Sequence, residues 1–397
     1  MSKFWSNDNA FAKAVEFLNR VPLIDCHNDL PVVIRRDKDA QGDVAKYDLR
    51  VHKDNRDTDI PSLRTGLVAA QIWAAFPPLS QGPGIRTTLE QIELIHRIAE
   101  TYPDVFLPAL TVADIDAAKA RGKIASFIAV EGGVGLSESL ELLTSWHRLG
   151  VRLVTLCHNE SLSWVDSATD VSISGGLSPF GEQVVRECNR LGIIVDCAHV
   201  SHAGIRRVLD VTKSPIALSH SNAFALSDHP RNVSDDILDR IRSTRSMVMA
   251  TFVPAFISQA SRDWHRKLQD QYGKGLPTNT SRPSLASGGD SAAAVIAAHA
   301  KESGDAWVAG TLPELVDHIE YMANRAGVEA IGIGSDFYGG PTPEGLENVE
   351  CFPHIFAEMI RRGWSFDALA KIASENFKRL MAEVQDGAGP VPRLAVD

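Results

Sequence analysis

Seven polar side chains stand where six apolar runs of the chain end, and their types are those of a hydrolytic metal centre. His27 and Asp29 close "LIDCHND" (23–29), Glu131 closes "IASFIAVE" (124–131) and His158 closes "VRLVTLCH" (151–158). His199 closes "GIIVDCAH" (192–199), His220 closes "PIALSH" (215–220) and Asp336 closes "AIGIGSD" (330–336). A lone histidine at a strand end is most often a satisfied structural group. Polar ends on six separate runs ask for a common destination.

The spacing suggests what that destination holds. His27 and Asp29 are two apart, so an extended strand presents an imidazole nitrogen and a carboxylate oxygen on one face. Glu131 precedes Gly132-Gly133; its two oxygens can bridge two cations while the glycines let backbone approach closely. His199 and His220 end consecutive runs and can close a second site beside the first. Three His, one Asp and one Glu, without thiolate, suit Zn2+, with Mn2+, Fe2+ or Co2+ as alternatives. Two such ions ~3.5–4 Å apart, sharing a carboxylate, would activate a water or hydroxide for hydrolysis. Cys26, adjacent to His27, is expected to face away from the site. Cys197, two before His199, is expected to share its face one layer deeper, and both read as buried apolar thiols.

Something must bring these groups together. Eight β-rich runs recur at 22–29, 67–76, 124–133, 151–159, 192–199, 215–221, 246–253 and 330–337. They are nearly continuous in apolar residues, as parallel strands covered on both faces require. Helix-like segments separate them, among them "TLEQIELIHRIAETY", "PFGEQVVRECNRLG" and "DDILDRIRST". Eight β/α units predict a single (β/α)8 barrel over 1–397, closed by a helix in "FDALAKIASENFKRLMAEV". In that fold the active site lies at the carboxyl ends of the strands, where the polar residues gather. No GxGxxG follows the first run, which disfavours a doubly wound open sheet. An amphipathic helix is expected over 8–20, with Phe11, Val15 and Leu18 on one face. Residues 38–66 read as a polar loop or hairpin. Residues 257–310, rich in Gly, Ser, Thr and Pro at their centre, read as an insertion between the seventh and eighth strands.

Composition excludes other classes. The 397 residues are 44% hydrophobic and 23% charged, with a net charge of −10. That balance argues against nucleic-acid binding and against a polybasic membrane patch. No run approaches the ~20 apolar residues of a membrane span. The first twenty residues lack a signal-peptide core, and the C-terminal segment lacks the tail of a lipid-anchor signal. Five cysteines, odd in number and without a CxxC pair, suggest a reducing compartment, and a cytoplasmic location is the expectation.

The stretches "LIDCHNDLP", "AVEGG", "VTLCHN", "GGLSPFGEQVVRECNRLGIIVDCAHVS", "SHSNAFAL", "HPRNVSDDIL", "GIGSDFYGG" and "PEGLENV" occur in order along nearly the whole chain. Together they resemble the membrane dipeptidase (renal dipeptidase) family, peptidase family M19, a binuclear zinc branch of the metal-dependent hydrolase barrels. The resemblance implies two Zn2+ per chain, one on His27 and Asp29, the other on His199 and His220, with Glu131 bridging. It implies that His158 contacts substrate and polarises the scissile carbonyl. Arg231 in "HPRN" would hold a substrate oxygen or carboxylate, and Asp336 would handle the proton. The family cleaves dipeptides, commonly accepts a D-residue at the C-terminal side, and is typically a homodimer. Cys26 where many relatives carry Gly, Glu160 after "HN", and the long 257–310 insertion depart from the pattern and bear on substrate preference. The competing reading is a binuclear hydrolase of N-acyl amino acids, lactones or phosphoesters. Many such enzymes bridge their metals with a carboxylated lysine, and Glu131 in that position favours the dipeptidase. A silent scaffold barrel would show lost ligands, and none is lost.

Overall fold

The computed structural model describes residues 3–6, 8–54, 56–77, 84–272, 304 and 307–390. Nine parallel strands form one sheet: β1 (Leu23–Asn28), β2 (Val68–Ala75), β3 (Phe106–Pro108), β4 (Ile124–Glu131), β5 (Val151–Thr155), β6 (Ile194–Asp196), β7 (Ala217–Leu218), β8 (Met247–Ala250) and β9 (Ile331–Ile333). Their order is β1-β2-β4-β5-β6-β7-β8-β9, and β3 pairs with β4 off this path. The path closes on itself. Asn28 and Phe337 form a parallel bridge; Asp29 N donates to Phe337 O at 3.0 Å and Asp336 N to His27 O at 3.1 Å. The result is a (β/α)8 barrel whose eight strands are the eight runs read from the sequence.

Burial explains the composition of the strands. Every residue of β2 and β4 is buried. One face packs under the surrounding helices, and the other fills the barrel. Ile24, Ala70, Ile72, Phe127, Leu153, Ile194, Met247 and Met249 join Phe377, Leu380, Met381 and Val384 of the last helix in this inner cluster. At Gly332 an added Cβ would lie 3.0 Å from Met249 and 3.1 Å from Met247, so the methionines occupy the space a side chain would take. One mouth is therefore plugged with apolar side chains, leaving the other for polar groups.

Several expectations change. Residues 38–66 are not a hairpin: they carry short helices at Val44–Tyr47 and Ile60–Thr65. Asp43 caps the first by accepting from Ala45 N and Lys46 N, and Asp59 caps the second by accepting from Ser62 N. Pro61 sits in the first turn of the second helix, where its missing N–H costs nothing. The closing helix is not continuous: Phe366–Ala370 runs into a π-helical turn at Lys371–Glu375 and then Asn376–Asp386. There Asn376 Nδ2 donates to Val328 O at 2.7 Å and Ile331 O at 2.8 Å, tying the helix to the foot of β9. The 257–310 insertion opens with a helix at Gln259–Tyr272; residues 273–303, 305 and 306 lie outside the described residues. The amphipathic helix stands at Asn9–Arg20, with Asp8 as its N-cap. Cys26 packs in the inner cluster and Cys197 in the outer one, the reverse of the expected facing. The reason is local: the β1–β2 register breaks between Asp25 and Asn28, and β6 ends before Cys197. All five cysteines are free and buried. Among the described residues no helix is long and apolar enough to cross a membrane.

Candidate metal centre

The polar mouth of the barrel is built by chain that has just left, or is just leaving, its strand. His27 lies within β1, and Glu131 is the last residue of β4. Asp29 is already off the strand, in the turn that starts the helix Leu30–Arg36, so it meets His27 by a bend in the backbone rather than by strand alternation. His158, His199, His220 and Asp336 stand two or three residues beyond β5, β6, β7 and β9. His199 (φ 67°) and Asp336 (φ 63°) adopt left-handed backbone, a conformation that costs energy in a non-glycine residue and often marks a site under functional constraint. Gly339 makes room for the second of these: a Cβ there would lie 2.1 Å from Asp336 Oδ1.

The side chains converge. His27 Nε2 lies 3.4 Å from Glu131 Oε2 and 3.8 Å from both Asp29 Oδ1 and Asp336 Oδ1. The other oxygen of Glu131, Oε1, lies 3.2 Å from His199 Nε2 and 3.5 Å from His220 Nε2. Those two imidazole nitrogens are 2.9 Å apart. Two donor triads result, His27–Asp29–Glu131 and Glu131–His199–His220, sharing the glutamate, with a third grouping at His27–His220–Asp336. All of these side chains are buried. His27 Nδ1 and Nε2, Asp29 Oδ1 and Glu131 Oε2 have no hydrogen-bond partner among the described residues. Buried imidazole and carboxylate atoms that crowd together without a protein partner are what a divalent cation satisfies, and nitrogen and oxygen ligands of this kind fit zinc and its neighbours. The residues present therefore fit a two-metal centre.

Electrostatics divide the pocket. Asp29, Glu131 and Asp336 crowd one volume. Burial would lower His27, but Glu131, Asp29 and Asp336 outweigh it and raise its pKa to about 10. Burial pushes Glu131 up, yet His27 and His199 hold it well below the ordinary carboxylate range. Burial and then repulsion from Glu131 drive Asp29 up. Asp336 rises to about 7, chiefly through burial, with Glu131 raising it further and His27 and Arg231 opposing. On the opposite side burial lowers His158 to about 4, and lowers His199 and His220 well below the usual imidazole range, with Arg231 adding to the effect at all three.

His158 and Arg231 flank this centre. The His158 ring lies 4.3 Å from that of His199 and 4.2 Å from that of Phe76. Arg231 is buried, and its Nη groups make only long contacts, 3.5 Å to Ser221 Oγ and 3.3 Å to His220 O, while Nε has no partner among the described residues. Other histidines stay out. His202 bonds Asn232 O, His96 bonds Leu149 O, His354 stacks between Trp5 and Phe11, and His52 sits beside Asp59.

Sequence reasoning missed the layer beneath. Asp25 and Asp196 are fully buried one layer below the metal-facing groups. Ser335 Oγ donates to Asp25 Oδ2 at 2.7 Å, and Ser219 Oγ to Asp196 Oδ2 at 2.7 Å. Asn159 Oδ1 lies 3.2 Å from His199 Nδ1. The signal was present as a repeat: Asp-Cys precedes the histidine in both "DCH" and "DCAH", and Ser precedes both His220 and Asp336.

Comparison with known proteins identifies the family and the fold. Residues 11–392 match the family model for membrane dipeptidase (Peptidase family M19). The chain is 32% identical over 393 residues to dipeptidase aclJ of Aspergillus oryzae, an alignment spanning 93% of this chain and 80% of that one. The crystal structure of the probable dipeptidase PvdM from Pseudomonas aeruginosa shares its fold, with a TM-score of 0.81 at 24% identity over 96% of this chain and 100% of that one. So does a metallo peptidase from Rhodobacter sphaeroides, crystallised with a phosphinate mimic of the dipeptide L-Ala-D-Ala, with a TM-score of 0.73 at 20% identity over 92% and 99% of the two chains.

Proposed function

The chain belongs to the membrane dipeptidase family, peptidase family M19, and on that premise we propose that it hydrolyses dipeptides, L-Xaa-D-Xaa forms included, with two Zn2+ ions per chain. His27 and Asp29 would hold one ion and His199 and His220 the other, with Glu131 shared between the two sites. The observation that carries this reading is the division of Glu131: Oε2 faces His27 at 3.4 Å while Oε1 faces His199 at 3.2 Å. The ions supply Lewis acidity and a nucleophilic water at neutral pH.

The protein's own groups do the rest. Arg231 receives the dipeptide carboxylate on its planar fork, whose existing contacts are long enough to yield. His158, kept neutral by burial, donates to the scissile carbonyl oxygen as charge develops on it. Asp336, 3.8 Å from His27 Nε2 at the edge of the centre, suits a group that takes a proton and returns it. It accepts one from the attacking water as the C–O bond forms and passes it to the amine as the C–N bond breaks. The stereochemical part of the proposal follows the ligand of the Rhodobacter sphaeroides peptidase.

A panel of L-Xaa-L-Xaa and L-Xaa-D-Xaa dipeptides, set against N-acyl amino acids, tests the reading alongside metal analysis of the purified protein. Dipeptide turnover in both stereochemical series, with two zinc ions per chain, is expected. Turnover of acyl amino acids without dipeptides would overturn it.

A further inference from the structure

Asp196 is surrounded by donors. Its Oδ1 accepts from Ala198 N at 3.1 Å and Ser219 N at 2.8 Å. Its Oδ2 accepts from Thr155 Oγ1 at 2.6 Å and Ser219 Oγ at 2.7 Å. Asp196, Ser219, Thr155 and His220 are all fully buried, so no solvent competes for these bonds. On its other side Ser219 Oγ lies 2.8 Å from His220 Nδ1. A hydroxyl has one hydrogen and two lone pairs. With its hydrogen committed to the carboxylate, Ser219 has only lone pairs left for the imidazole. Nδ1 must then carry the ring proton, which leaves Nε2 bare.

We infer that Ser219, oriented by Asp196, is a positioning residue that fixes the Nδ1–H tautomer of His220 and thereby aims its Nε2 lone pair at the metal centre. The inference rests on the reading of His220 as a ligand. The geometry on the far side of the ring agrees with it. Nε2 has His199 Nε2 at 2.9 Å and Glu131 Oε1 at 3.5 Å, the two groups that would share a cation with it. The other imidazoles are served differently. His199 Nδ1 meets a neutral amide oxygen, Asn159 Oδ1, and His27 Nδ1 meets no partner among the described residues. Of the three rings, His220 alone is backed by a buried carboxylate acting through a hydroxyl. Partners of this kind orient a ligand ring and raise its basicity.

The test compares Ser219→Ala, Ser219→Thr, Asp196→Asn and His220→Ala with the parent protein. Two readouts are used: zinc affinity by chelator competition, and 15N NMR of the His220 tautomer in metal-stripped protein. Ser219→Ala should weaken one zinc equivalent by roughly 10–100-fold and release the ring from a single tautomer, and Ser219→Thr should restore most of both. Asp196→Asn should fall at least as far. Its oxygen stays with the two amides, its NH2 turns toward the hydroxyls, and the Ser219 hydrogen is freed to reverse onto Nδ1. Ser219→Ala with zinc affinity within about twofold of the parent and an unchanged Nδ1–H tautomer would overturn the inference. Should His220→Ala keep both zinc equivalents, the ligand reading falls instead, and the two failures are told apart.

Discussion

Two junctions of the barrel use the same pair of residue types to different ends. At the β6–β7 junction Asp196 holds Ser219, and Ser219 touches the His220 ring. At the seam between β1 and β9, Asp25 holds Ser335 through both its hydroxyl and its amide, at 2.7 and 2.8 Å, and takes a third bond from Gln71 Nε2 at 2.9 Å. Yet Ser335 Oγ reaches a backbone atom, His27 O, at 3.0 Å, and no ring nitrogen. The difference follows from what each junction must do. β6 and β7 pair within a continuous sheet, so hydrogen bonds are free to set a side chain. The seam joins segments 310 residues apart in the chain, through a single bridge among the described residues, from the end of β1 at Asn28 to Phe337 beyond β9. Its buried carboxylate goes into closing the barrel. The lesson is that a buried Asp–Ser pair beside a metal centre can act on the metal or on the scaffold, and its outward contact tells which.

Glu131 is where the two junctions meet, since one oxygen serves each side. Glu131→Gln should therefore have the largest effect of any single change. It removes the shared negative charge and turns one oxygen into a donor facing His27 or His199. Loss of the several kcal/mol that Lewis acidity supplies corresponds to roughly 10³-fold or more in kcat/KM. Steady-state kinetics with metal analysis of the variant would check this. A variant that kept parental activity with both ions would show that the two sides are not joined through this residue.

The next contrast separates scaffold from metal. Asp25→Ala orphans Ser335 N–H in a fully buried place, while Gln71 Nε2 keeps the carbonyls of Asp25 and Ile72. At about 1–3 kcal/mol for an unsatisfied buried donor, the loss of stability is at least of that size. Denaturant unfolding of the metal-free protein should show that loss, while the His220 tautomer stays as in the parent. The opposite pattern, intact stability with a disturbed His220 ring, would dissolve the distinction between the junctions.

The barrel was legible because its strands announce themselves. β2 and β4 are buried on both faces, and their runs are apolar without alternation. The residues that face the centre were legible because apolar packing gives no reason for ionisable groups to end so many buried runs. Asp25 and Asp196 were not, for a physical reason: each lies inside the polar end of its own run, and its serine comes from another strand. Ser335 meets Asp25 only after the whole barrel has closed. Asp29 misled in a milder way, because the two-residue spacing that suggested a shared strand face survives although the residue has left the strand. β3, three residues long, carries too little pattern to be read. The capping aspartates of 38–66 were in plain view, but helices of four and six residues offer almost no periodicity for them to announce.

The smallest expected effect gives the sharpest comparison, because it sets one hydroxyl against its counterpart. Ser335→Ala removes the bonds from Oγ to Asp25 Oδ2 and His27 O but leaves the amide bond to Asp25 Oδ1 in place. Asp25 Oδ2 also keeps Gln71 Nε2, so no buried group loses its last partner. The cost should then be that of an ordinary hydrogen bond, about 0.5–1.5 kcal/mol of stability. Zinc affinity should stay at the parental value, because no ring nitrogen is touched. Chelator competition run in parallel on Ser335→Ala and Ser219→Ala would expose any error. If the seam serine weakened zinc binding as much as its counterpart does, both junctions would be acting on the metal, and outward contact would no longer distinguish them.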